Sequence, residues 1–131
     1  MKTVTPGEIA PPFARYSHAV EIPPGARTLV CSGQLGISPE LTVPDGAEAQ
    51  TVLCFENIGA ILRAAGMDYA DIVRINAFVT GREHLAGYMK ARDRFTATPP
   101  PASTLMIVSG FARPEFVVEI EVIMDMDKMV I

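Results

Sequence analysis

From Phe116 to Met124 the chain alternates with period two, and both halves of the alternation matter. Phe116, Val118, Ile120, Val122 and Met124 fall on one face of an extended strand; Val117, Glu119, Glu121 and Ile123 fall on the other. Residues 103–109 alternate too, with Thr104, Met106 and Val108 pointing one way and Leu105 and Ile107 the other. A strand that is apolar on both sides has to be covered on both sides. What the rest of the chain offers as cover therefore decides the architecture.

Two helices are readable. Asp45, with Glu48 three residues on, predicts a capped start to the first. Val52, Phe55, Ile58 or Gly59, and Leu62 then recur at helical spacing, and Gly66 supplies a left-handed end. Thr80 and Glu83 predict a second capping box, opening a helix with Leu85, Tyr88, Met89 and Phe95 on its apolar face. Pro99-Pro100-Pro101 bars continuation.

The β-rich stretches are residues 17–22, 28–32 and 72–80, besides the two at the end. The first two, separated by Pro23-Pro24-Gly25, are expected to form a hairpin. Residues 36–46 read as a loop. Residues 1–15, broken by Pro6, Pro11 and Pro12, read as an irregular arm, and 16–131 as a single domain. The order is β-β-α-β-α-β-β, which makes the fold class α+β. Two helices cover only one face of a sheet of about five strands. Leu105, Ile107, Val117 and Ile123 are then expected on the uncovered face. Burying each stabilises by about 1.5–3 kcal/mol, enough together to hold identical copies in a homo-oligomer. The alternative is a monomer whose N-terminal arm folds over that face.

Length and composition agree with one folded domain: 131 residues, 49% hydrophobic and 20% charged. A net charge of -4 argues against a general nucleic-acid binder, which normally carries a basic stripe. Arg92 and Arg94 come nearest to one, with Asp93 between them. Cys31 and Cys54 form no CxxC and read as buried free thiols. The proline-broken N-terminus does not resemble a signal peptide, and no stretch has the length of a membrane span, so the cytoplasm is expected.

Several segments resemble the reactive intermediate deaminase family, the RidA/YjgF group. Residues 14–20, Ala-Arg-Tyr-Ser-His-Ala-Val, are similar to the family's opening G-P-Y-S-Q-A-V, and Val30-Cys31-Ser32-Gly33-Gln34-Leu35 resembles V-x-S-G-Q-I/L. Glu48 to Thr51, Glu56-Asn57-Ile58 and Ala64 to Met67 resemble the family's first helix, and Asp71 to Arg74 with Phe78-Val79-Thr80 its third strand. Pro101-Ala102-Ser103-Thr104 matches P-A-R-S in part, and residues 118–123 match the last strand. The resemblance spans about residues 11–125. It implies a chorismate-mutase-like fold and a homotrimer around a central barrel. It also implies small-metabolite sites between subunits, and hydrolysis of enamines and imines from amino-acid metabolism without cofactor or metal.

An imino acid presents a carboxylate and an electrophilic C=N carbon, so its site needs a cation and a group that places water. The resemblance assigns the cation to the arginine of P-A-R-S, where this chain has Ser103. A charge-assisted bond contributes about 1.5–3 kcal/mol against about 1 for a neutral one, so Ser103 is the weaker grip on a carboxylate. Arg113, in the loop before the last strand, is the candidate replacement; the family's A-R-L-P lies one residue closer to P-A-R-S. As a solvated loop charge it has a simpler reading. Tyr16 stands where the family keeps a site tyrosine, and Glu119 where it keeps the carboxylate that orients water.

Glu119 also lies beside Val117 and Ile123 on one strand face, which a hydrogen bond to a neighbouring subunit explains equally. Tyr16 reads alternatively as a packing aromatic. Gly33, Ser103, Thr104 and Arg113 are the candidate substrate-binding residues. His18 and His84 are too far apart in sequence to suggest a metal site. The expected function is that of a RidA-like protein binding a small metabolite between subunits, with hydrolysis of an enamine, imine or related substrate as its candidate activity; a non-catalytic metabolite-sensing trimer is the alternative. An endoribonuclease or translation-inhibitor role is disfavoured by the acidic balance.

Overall fold

The period-two run that ends the sequence becomes the middle of the sheet. The structure, a computed structural model, describes residues 2–126; the expected domain's residues 127–131 and the arm's Met1 lie outside them. The strands are β1 (Lys2–Val4), β2 (Ala19–Glu21), β3 (Arg27–Val30), β4 (Gln34–Leu35), β5 (Ile72–Val79), β6 (Ala102–Ile107) and β7 (Val118–Met126). The helices are α1 (Ala47–Ala64) and α2 (Leu85–Phe95). β7 runs antiparallel to β5 on one side and to β3 and β4 on the other, and β6 lies parallel to β5 at the edge. β1 and β2 form a separate antiparallel pair.

Alternation decides what lies inside. Ile75, Ala77 and Val79 of β5 and Val118, Ile120, Val122 and Met124 of β7 are all buried. They pack with Cys54, Phe55, Ile58 and Leu62 of α1 and Tyr88 of α2 in one apolar cluster, so both helices cover the same face. Phe55 stacks on Phe95 at 5.2 Å, joining the helices, and Tyr69 tilts against Phe95 at 5.4 Å while donating a hydrogen bond to the Phe55 carbonyl at 2.8 Å.

A buried amide closes the open end of this core. Gln50 of α1, 1% exposed, donates to the carbonyls of Pro44 and Glu115 and accepts from the Val117 N–H. It thus ties the loop before α1 to the approach to β7 with its polar group satisfied.

Several sequence expectations are corrected. The arm is not wholly irregular, because β1 pairs with β2 in the register Thr3↔Val20. No β2–β3 hairpin forms: β3 pairs with β7, and β4 lies beside it on the same flank. Pro23 and Pro24 lack the N–H groups a ladder needs, and β3 buries more by placing Leu29 on the core side beside Met124. The first strand of the expected order thus leaves the main sheet, and β4 joins it.

Neither expected capping box forms. Gly46, at φ 88°, occupies the N-cap of α1, which leaves Asp45 one residue too early to cap it. Gly81 begins a 3-10 turn over Arg82–His84, and Thr80 continues the ladder with its N–H on the Val117 carbonyl. Gly66 does take the left-handed conformation after α1, at φ 73°.

The uncovered face differs most from expectation. The register of β6 on β5 puts Leu105 opposite Ala77 and Ile107 opposite Val79, on the helix side. Val117 stands just before β7, so of the four expected residues Ile123 alone lies in a strand on the uncovered face. That face mixes Phe78, Met106 and Ile123 with Arg74, Asn76, Glu119 and Glu121. Arg74 donates to Thr104 at 2.8 Å and Asn76 to Glu121 at 3.2 Å. Apolar exposure persists at its margins, where Val30 is 74% and Met106 55% exposed. β2 reaches over one end, leaving an open cavity of about 350 Å³ against Val73, Arg74, Ala102 and Ile123.

Phe55 is fully buried and Val30 largely exposed. Phe55→Ala is expected to lower unfolding free energy by about 3–5 kcal/mol and Val30→Ala by about 0.5 or less, read from urea midpoints.

Candidate functional site

The outer edge of β6 is lined with hydroxyls. A pocket of about 320 Å³ lies there, bounded by Phe13, Ala14 and Tyr16 of the arm, Met89 and Arg92 of α2, and Ser103, Thr104 and Leu105 of β6. The arm is fastened to this edge by several contacts. Ser17 bridges to Ala102 and donates its N–H to the Pro101 carbonyl at 3.0 Å. Arg15 donates to the Thr96 and Thr98 hydroxyls and to the Thr96 and Ala97 carbonyls at 2.8–3.3 Å. His18 Nε2 bonds the Ala10 carbonyl at 2.8 Å, and its ring meets Tyr16 edge-on at 6.0 Å. Tyr16 Oη accepts the Phe13 N–H at 3.2 Å, so its own proton is available to a ligand.

A second cluster forms around Glu119. This residue faces Leu35 on one side and Phe78 on the other. A Cβ built on Gly33 would lie 2.8 Å from the Glu119 carboxyl carbon, so only glycine lets the carboxylate rest against this backbone. No hydrogen bond or ion pair to Glu119 occurs among the described residues. Cys54 lies on the other side of the sheet, fully buried; burial, and then the Glu119 charge, push its thiol up to about 12.

Within one chain these clusters stay apart. Glu119 is two strands from Met106 of β6 in register, about 10 Å at ordinary strand spacing. Tyr16, Ser103 and Thr104 are therefore brought together, and so are Gly33 and Glu119, but not the two groups with each other. Arg113 is in neither, since its guanidinium pairs with Glu115 at 3.0 Å and sits over the Phe116 ring at 4.9 Å.

Sequence reasoning missed Arg92. It lies four residues after Tyr88 and three before Phe95, inside the apolar stripe of α2, which is the signal that marks it. Its side chain is 4% exposed; Nε and Nη2 donate to Asp93 Oδ1 at 3.2 and 3.1 Å, and the guanidinium lies over the Tyr88 ring at 5.5 Å. Tyr88 is itself fully buried, and its hydroxyl makes no hydrogen bond of good geometry. Burial pushes that phenol up to about 12, against the opposing pull of Arg92 and Ser103 nearby. Cys31 and Cys54 are both buried free thiols, and no helix among the described residues is long and apolar enough to cross a membrane.

The described fold is a mixed α+β domain, a five-stranded sheet with two helices on one face beside the separate β1–β2 pair. The family model for endoribonuclease L-PSP matches residues 7–125, and the chain belongs to this family, the RidA/YjgF group. Among its relatives, a RutC family protein of Saccharolobus solfataricus is 30% identical over 94% of this chain and 97% of its own. The 2-iminobutanoate/2-iminopropanoate deaminase of Mus musculus is 29% identical over 84% and 86%. A Rid-family protein of unknown function from Yersinia pestis superposes with a TM-score of 0.84 at 30% identity, covering 95% of this chain and 98% of that one. RidA from a Psychrobacter species does so at 0.72 and 31%, over 96% and 100%.

Cys54 rises from an ordinary 9.0, and Tyr88 from 10.0, each to about 12. The native state therefore keeps protons that the unfolded chain has already released, and stability is expected to fall between about pH 9 and pH 12. Urea midpoints measured across that range check this, and Tyr88→Phe should make the decline shallower.

Proposed function

We propose that this chain is a cofactor-independent hydrolase of small enamines and imines, acting at a pocket completed between identical subunits. One observation carries the reading. The hydroxyl-lined pocket of Tyr16, Ser103 and Thr104 and the carboxylate cluster of Gly33 and Glu119 lie on different parts of one chain. Each supplies what the other lacks, so a second copy brings donors and base together. The imine deaminases among the relatives support the same chemistry.

In this reading the enamine first tautomerises to the imine. Glu119 accepts a proton from water as the water oxygen bonds to the imine carbon, and the proton passes to the nitrogen. As the adduct collapses, its hydroxyl gives its proton to Glu119 and the nitrogen takes that proton up, so the C–N bond breaks to release ammonia and leave a carbonyl. Tyr16 donates a hydrogen bond to the substrate, and Ser103 and the Gly33 backbone help to seat it. Thr104 holds the edge in place through its bond from Arg74. Arg113 is held in its loop by Glu115 and Phe116.

The uncharged Ser103 favours a second reading, a trimer that binds a metabolite without turning it over. Ammonia release from freshly generated 2-aminoacrylate separates the two. Wild type is expected to release ammonia, and Glu119→Gln to lower kcat by about 10²-fold or more. Absence of ammonia from wild type and from Ser103→Arg alike assigns the binding role. Light scattering is expected to give the mass of three chains; the mass of one at micromolar concentration removes the shared pocket.

A further inference from the structure

We propose that Arg92, reaching from α2, is the anion-binding group of the β6-edge pocket, so that the site selects small carboxylate ligands although Ser103 carries no charge. The proposal rests on the reading of that pocket as the ligand site. It does not depend on the ligand being turned over.

Charge at the β6-edge pocket is one-sided. Arg92 lines it with a side chain that is only 4% exposed, and no acidic residue lines it. The guanidinium's one carboxylate partner is Asp93, whose side chain is 47% exposed and whose charge water therefore screens. Arg92 is thus the one charged residue among those lining the pocket, in a chain of net charge -4. A buried guanidinium with a screened partner gains from a second anion placed out of water.

A guanidinium has five N–H groups in a fixed fork. Those of Arg92 bonded with good geometry run from Nε and Nη2 to a single oxygen of Asp93, with the Tyr88 hydroxyl as a further neighbour of the fork. Arg15, close by, directs its donors to Thr96, Ala97 and Thr98, and Arg74 points one at Thr104. Arg92 is the arginine that lines the pocket with donors left over. The Tyr88 ring beneath holds the fork in one orientation before any ligand arrives.

The surroundings narrow the ligand. Tyr16 and Ser103 add hydroxyl donors beside the guanidinium, while Met89, Leu105 and Phe13 supply apolar walls. The combination fits a short monocarboxylate with an adjacent polar sp² group and a small alkyl chain: a 2-oxo or 2-imino acid. Ser103 sits close enough to Arg92 and Tyr88 that an arginine placed there would present its charge to the same space.

Calorimetric titration with 2-oxobutanoate and its neutral counterpart 2-oxobutanamide tests this, with circular dichroism melts to confirm folding. Wild type is expected to prefer the acid. Arg92→Gln is expected to weaken acid binding by about ten-fold or more while leaving the amide unchanged, and Arg92→Gln/Ser103→Arg to recover the acid. Should Arg92→Gln fail to fold, Arg92→Lys carries the test: it keeps a charge but loses the fork, and the acid alone is expected to weaken.

Equal acid binding in wild type and the folded variant overturns the proposal. So does an equal loss for acid and amide, or a wild type without preference for the acid. Ammonia release that is indifferent to Arg92 also defeats this assignment, yet leaves the hydrolase reading standing. Arg92-dependent acid binding without ammonia release does the reverse.

Discussion

Every other residue of β7 is pressed into the core, and the rest of the molecule is arranged around that demand. Val118, Ile120, Val122 and Met124 are each 1% exposed or less. They lie on a strand that shares its backbone bonds with β5 on one side and β3 and β4 on the other. A slip of one residue would turn four apolar side chains outward and Glu119 and Glu121 inward, so the register is fixed by the cost of burying those charges. That register places Glu119 against Gly33 and opposite Phe78.

The parts of the fold legible in the sequence are those where one periodicity dominates. α1, β5 and β7 are long and strongly patterned, and they appear within a residue or two of where the pattern puts them. Elements governed by competition between partners were not legible. β2 and β3 are each short, and nothing local tells β3 that β7 is a better neighbour than β2. The faces of β6 were the costliest error. Alternation reveals that Leu105 and Ile107 share a side, but only the parallel register with Ala77 and Val79 reveals which side. The uncovered face is consequently more polar than two-sided hydrophobicity suggested, and Arg74, Asn76 and Glu121 form a bonded polar patch across it with Thr104.

The site was partly legible for a similar reason. Tyr16, Ser103, Thr104, Gly33 and Glu119 stand out as residues that match a family pattern, and the structure gathers them into two groups. Arg92 is visible in the letters, but there it reads with Arg94 only as the nearest approach to a basic stripe, interrupted by Asp93. Its position between Tyr88 and Phe95 is what carries it inward, because helical residues three or four apart share a face. A cation on an apolar stripe, with a serine where a cation was expected elsewhere, is a pairing that neither position discloses alone.

The lashing of the arm by Arg15 has a thermodynamic meaning for whatever enters the β6-edge pocket. One guanidinium grips two hydroxyls and two carbonyls in the connection after α2, so the wall bearing Phe13 and Tyr16 is joined to the connection that leads into the wall bearing Ser103. The entropy lost in ordering that wall was surrendered when the chain folded, and an incoming molecule does not have to supply it again. Such a cleft discriminates by the shape it already has, and loosening Arg15 would blur that discrimination before it weakened the fold.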